Sequence, residues 1–137
     1  KRSAAAVTLA VNDVQLVVAT THLPLDPGQR QQHLNLLQDW LAGFQAPRLV
    51  GGDFNMLPGD TVYEDFASGF ADAWVAVAGA SERGYTKDVR SVAPFVPGRI
   101  DAWWQEKSDT RAQATEAWVI KTGRSDHHAV VIDVEVK

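Results

Sequence analysis

The stretch AAAVTLAVNDVQLVVATTHL commits the first part of the chain to two paired strands. Val7, Leu9 and Val11 alternate along one arm, and Val14, Leu16 and Val18 along the other. Successive side chains of a strand point to opposite faces, so each arm carries one apolar face. Asn12 and Asp13 separate the arms. Both residue types tolerate positive φ, and as a dipeptide they suit a two-residue hairpin turn.

Beyond the hairpin the pattern changes period. LDPGQRQQHLNLLQDWLAGF begins like a helix, with Asp26 as N-cap and Pro27 at the first helical position. Leu34, Leu37, Leu41 and Phe44 repeat at helical spacing and are expected to face the core. Pro47 breaks the helix, and RLVGGDFN follows as a short buried strand running into a loop. From Thr61 to Ala80 a weaker helical pattern offers Tyr63, Phe66, Phe70 and Trp74 for packing, and residues 81 to 98 read mostly as loop. RIDAWW, TEAWVIK and HAVVIDVEV read as three more strands. This order predicts an α/β (α+β) domain over residues 1–137, with a mixed, mainly antiparallel sheet and helices on one face.

Composition narrows the function classes. Apolar residues make up 45% of the 137 and charged residues 22%, which suits a soluble globular domain with a real core. With no cysteine there is no thiolate zinc site and no cysteine nucleophile. A net charge of -4 argues against a broad basic surface for nucleic acid, although a local positive pocket remains compatible with a phosphate-bearing substrate. No apolar run approaches a membrane span, and the compartment stays open between cytoplasmic and secreted. Lys1 in place of an initiating Met reads as a processed product or a fragment.

Four polar stations stand at strand ends: His22 in TTHL, Asp53 and Asn55 in GGDFN, Asp101 in RID, and Asp126 with His127 in SDHH. Strand ends hold side chains rigidly while leaving them open to a ligand. Each alone has a plain reading: a strand-end histidine, a turn cap, a salt-bridge partner for Arg99. Together they form an inventory for phosphoester hydrolysis, which needs a base for water, a carboxylate to orient it, donors for phosphoryl oxygens, and a divalent cation. Asp53 and Asp126 are hard oxygen ligands suited to Mg²⁺ or Mn²⁺. A serine hydrolase fits poorly because no G-x-S-x-G elbow exists, and no H-E-x-x-H or similar spacing supports zinc.

The ordered set THL, GDFN, RID and SDH resembles the C-terminal half of the endonuclease/exonuclease/phosphatase family, the deoxyribonuclease-I-like metal-dependent phosphohydrolases. The resemblance implies half of a four-layer α/β sandwich and hydrolysis of phosphodiesters or phosphomonoesters. It implies His127 as general base, Asp101 as its partner, Asp53 and Asn55 on the attacking water and phosphate, His22 on the phosphate, and Asp126 with Asp53 at a Mg²⁺ or Mn²⁺ site. His128, pointing to the other face of the strand, is expected to be a hydrogen-bonded residue at the core edge. His33 is expected to be a partly exposed helix residue.

Two departures from the family pattern set further expectations. Members carry a metal-binding Glu in an N-terminal half, and Glu64, Glu82, Glu106 and Glu116 stand in contexts that do not match it. Ala102 replaces the aromatic or histidine usual after RID. One sheet of a sandwich exposes a wide apolar face, so an N-terminal half on a separate chain, or a second copy in a homodimer, is expected to cover it. The expected ligand is a phosphoester: a small molecule, a lipid headgroup or nucleic acid. The rival reading is a non-catalytic remnant that binds phosphate-bearing ligands or a protein partner.

Overall fold

The computed structural model describes residues 2–78, 84–87 and 98–137. Strands β1 (Ala4–Val11) and β2 (Val14–His22) pair antiparallel with Val11 opposite Val14. Asn12 and Asp13 both take positive φ, 48° and 64°, as the two-residue turn requires. Helix α1 (Pro27–Leu41) starts as expected: the Gln29 N–H donates to Asp26 Oδ1 at 2.8 Å. It carries the chain across to β3 (Arg48–Asp53), which lies parallel to β2. A parallel pair needs such a crossover, and a helix is its usual form.

After β3 come α2 (Thr61–Ala67), β4 (Phe70–Asp72), α3 (Ala73–Ala78), β5 (Asp101–Glu106), β6 (Ala112–Ile120) and β7 (Ala129–Val136). Five strands form a mixed sheet in the order β1-β2-β3-β5-β4, and β6 with β7 forms a separate two-stranded sheet. Leu34, Leu37 and Leu41 of α1, with Val62, Tyr63 and Phe66 of α2, bury against Ala19, Val50, Ala102 and Trp104 of the sheet. Trp104 is fully enclosed, with Phe54, Tyr63 and Phe66 as ring neighbours. The fold is thus the expected α/β arrangement, with α1 and α2 on one face.

The opposite face is treated differently along its width. Leu16 and Leu49 pack against Ala112, Val134 and Val136, so the β6–β7 hairpin covers part of it. Trp103 Nε1–H donates to the Val130 carbonyl at 3.1 Å and holds the hairpin to β5. On β1, opposite Val18 and Leu16, Val7 and Leu9 remain 57% and 43% exposed.

Several local expectations need correction. Phe44 lies beyond the end of α1, half-buried and edge-on to Trp40 at 5.3 Å, instead of entering the core as part of the helix. β4 interrupts what reads as continuous weak helix; Phe66 and Phe70 keep helical spacing in sequence yet stack across the helix-to-strand junction at 4.7 Å. β6 begins at Ala112, three residues before TEAWVIK, because a register shift between Ala114 and Glu116 breaks the alternation that marks a strand. Arg99 pairs with Asp72, Nη1 to Oδ2 at 2.5 Å, and not with Asp101. The expected loop at Pro94 and Pro97, Glu82, and the end of the weak helix at residues 79–80 lie outside the described residues. No described helix is long and apolar enough to cross a membrane.

Candidate active site

Register brings the first three stations into one row. His22 stands opposite Asp53 in the parallel β2–β3 pair, and Asp53 stands opposite Asp101 in the antiparallel β3–β5 pair. Paired residues share a face, so all three side chains leave the same end of the sheet. Two glycines make that alignment possible. A Cβ on Gly52 (φ +148°) would lie 2.0 Å from the Thr21 carbonyl oxygen, and one on Gly51 would meet the Trp103 ring at 2.7 Å. The first lets the β2 backbone close up on β3 beside the site, and the second leaves room for the Trp103 ring over β3.

His127 reaches the row from the segment before β7, where it pairs with Lys87 in an isolated antiparallel bridge. Its Nδ1 lies 2.9 Å from Asp101 Oδ2 and 3.2 Å from Oδ1. A carboxylate only accepts, so Nδ1 carries the proton and, in the neutral ring, Nε2 is left with its lone pair. Ligand atoms of Asp53, Asp101 and His127 all lie within 4.8 Å of one another. Burial pushes the Asp53 carboxyl above the usual carboxylate range, and the Asp101 charge adds to this; the Asn55 N–H and the imidazoles of His22 and His127 oppose it.

Asn55 is left-handed, φ 50°, in the turn after β3. Its N–H donates to Asp53 Oδ1 at 2.9 Å, and its side-chain amide donates to the Leu23 carbonyl at 2.8 Å. The amide therefore ties the end of β3 to the end of β2. His22 Nε2 lies 3.3 Å from Asp53 Oδ2, while Arg2 Nη1 donates to His22 Nδ1 at 3.0 Å. A guanidinium has no acceptor, so the neutral His22 ring carries its proton on Nε2, facing Asp53.

Asp126 stands apart from the row. Its side chain is 70% exposed and faces Lys87 Nζ at 3.8 Å. His128 is half-buried, and its Nδ1 accepts the Thr122 N–H at 3.3 Å. His33 is half-buried on α1. Among the described residues no glutamate joins the cluster. Glu64 and Glu116 are exposed, and Glu106 is buried against Arg48. The sequence reading missed Arg2 and Lys87, two cations at the edges of the row. Neither has a periodic or motif signal, and only the folded register brings them near.

Two carboxylates with high negative charge density fit a hard divalent cation, which takes oxygen ligands and keeps several waters. A groove of about 220 Å³, lined by Thr20, Gly51, Asp53, Asp101, Trp103 and His128 among others, opens beside them on the face away from α1.

Known proteins share this fold. The human Nocturnin catalytic domain with bound sulfate anion matches at 27% identity and a TM-score of 0.73, over 99% of this chain and 53% of that one. An endonuclease/exonuclease/phosphatase from Bacteroides vulgatus matches at 19% identity and 0.80, over 99% and 56%. D. rerio TDP2 complexed with single-strand DNA product matches at 18% identity and 0.78, over 98% and 62%. The chain thus spans between about half and three-fifths of the length of these structures. No curated protein sequence matches it. The model of the endonuclease/exonuclease/phosphatase family, whose members are metal-dependent phosphoesterases and nucleases, matches residues 4–127, and the chain belongs to that family.

Proposed function

We propose that the chain is the catalytic part of a metal-dependent phosphoric ester hydrolase in which His127 activates water. The observation that carries this reading is the Asp101–His127 pair set beside Asp53, with the free Nε2 of His127 as the base. His127 Nε2 takes a proton from water as the new P–O bond forms, and the ester P–O bond breaks. Asp101 keeps the ring in the Nδ1–H tautomer and stabilises the imidazolium, which returns its proton to the leaving oxygen. Asn55 and His22 steady the phosphoryl oxygens, His22 through the Nε2–H now facing Asp53. A Mg²⁺ or Mn²⁺ ion held at the Asp53 carboxylate would neutralise phosphoryl charge as a Lewis acid; Asp126, expected from the sequence as a second ligand, is exposed beside Lys87 and outside the cluster of Asp53, Asp101 and His127. Phosphodiesters and phosphomonoesters both suit this chemistry, whether carried by a small molecule, a lipid headgroup or nucleic acid.

The exposed Val7 and Leu9 support a second proposal, that another α/β half covers this face of the sheet. That half would come from further sequence, from a separate chain or from a second copy. The rival reading, a remnant that only binds phosphate-bearing ligands or a protein, is favoured by the lack of a glutamate in the cluster among the described residues. Hydrolysis of a generic aryl phosphodiester separates the two. Turnover that needs Mg²⁺ or Mn²⁺, stops on chelation and is lost in Asp53→Asn supports the enzyme. Rates indifferent to chelation and to that substitution would sink it.

A further inference from the structure

Asp101 and His127 are 26 positions apart and approach from different segments, so something must fix their separation. We infer that Thr86 is the positioning residue that locks the Asp101–His127 pair, through bonds to both of the segments that carry it. Thr86 is completely buried. Its hydroxyl oxygen accepts the N–H of Ile100 at 3.2 Å and of Asp101 at 3.1 Å. Its carbonyl accepts the N–H of His128 at 2.6 Å, and its own N–H donates to the Gly98 carbonyl at 3.2 Å. Lys87, the next residue, forms the bridge to His127.

One residue therefore holds the backbone on the Asp101 side through its side chain and the backbone on the His127 side through its main chain. The hydroxyl contribution is separable. It uses both lone pairs on two N–H groups at the start of β5, and no other side-chain oxygen among the described residues bonds the Asp101 N–H. Valine has nearly the same shape and no acceptor, so Thr86→Val takes the acceptor from two part-buried N–H donors while filling the space. The start of β5 then shifts, and the Asp101 carboxylate moves relative to the His127 ring. Serine keeps the oxygen and gives up a methyl group.

The kinetic part of the test rests on the phosphoesterase reading; the spectroscopic part does not. Nitrogen chemical shifts of the His127 ring, measured on the 137-residue chain in mildly alkaline buffer, report which nitrogen holds the proton. The wild type and Thr86→Ser are expected to show the Nδ1–H form. Thr86→Val is expected to lose it, as an Asp101→Ala control does, while the five tryptophan indole signals stay dispersed. In turnover, Thr86→Val is expected to lower kcat by about 10- to 100-fold with KM little changed, and Thr86→Ser to restore it. An unchanged Nδ1–H signature in Thr86→Val would overturn the inference whether or not the chain hydrolyses anything. So would a loss in Thr86→Ser as large as that in Thr86→Val. Absence of turnover in the wild type, with the signature behaving as expected, would count against hydrolysis by this chain without its covering half and leave the positioning role standing.

Discussion

Removing the Asp72 carboxylate tests how the segment leading into Asp101 is anchored. Both partners of the Arg99–Asp72 pair are almost wholly enclosed, with side chains 5% and 3% exposed. Asp72 also accepts the Tyr63 hydroxyl at 2.7 Å and the Trp74 N–H at 3.0 Å. Burial, with the Asp72 hydrogen bond, pushes the Tyr63 hydroxyl well above its ordinary pKa, so it stays a donor at any working pH. Asp72→Ala strands a buried guanidinium, a loss of about 3–5 kcal/mol for a pair of this kind. The orphaned Tyr63 and Trp74 donors add to that, though not additively. We expect a total near ~4 kcal/mol, a large share of the ~5–15 kcal/mol that holds a domain folded. At roughly 3 °C per kcal/mol for a chain of this size, Tm falls by about 12 °C. Urea and thermal unfolding followed by circular dichroism measure both. Replacing the pair together, Asp72→Leu with Arg99→Met, should recover most of the loss, because no charge is then left buried alone. A loss below about 1 kcal/mol for Asp72→Ala, or a double variant no better than the single one, would refute this reasoning.

Other perturbations follow from the same structure. The Arg48 hydrogen bond holds the Glu106 carboxyl below its ordinary range, so that pair stabilises the fold above the ordinary glutamate pKa and ceases to as pH falls through the lowered value. Glu106→Gln should therefore lower the urea midpoint at neutral pH, by about 1–3 kcal/mol in stability, and the gap should close in acid; a gap independent of pH would contradict it. Gly52→Ala, which sets a Cβ 2.0 Å from the Thr21 oxygen, should force β2 and β3 apart one residue from the His22–Asp53 pair. Its expected loss is about 2–4 kcal/mol, read by thermal unfolding, and a variant as stable as the wild type would show that the strands are not held this closely.

The strands around the site were legible because each signals locally. The hairpin rests on Asn12-Asp13 between alternating arms, and the start of α1 on Asp26 followed by Pro27. The site itself was legible only as a set of polar strand ends, and the register that aligns His22, Asp53 and Asp101 depends on pairing between strands distant in sequence. β4 was hidden because three residues cannot establish a period, and β6 was shortened because a bulge spoils alternation. Thr86, Lys87 and Arg2 carry no local signal at all. Their roles come from backbone groups and charges that the fold brings to them.

Initial rates with one aryl phosphodiester and one aryl phosphomonoester, in Mg²⁺ and in Mn²⁺, should be compared between the wild type and His127→Ala. A general base of this kind contributes about 10²- to 10⁴-fold, so the variant is expected to lose at least about two orders of magnitude on whichever ester is cleaved, with its unfolding curve unchanged. Equal rates in the two proteins would contradict the assignment of His127 as the base and, with it, the reading of this site.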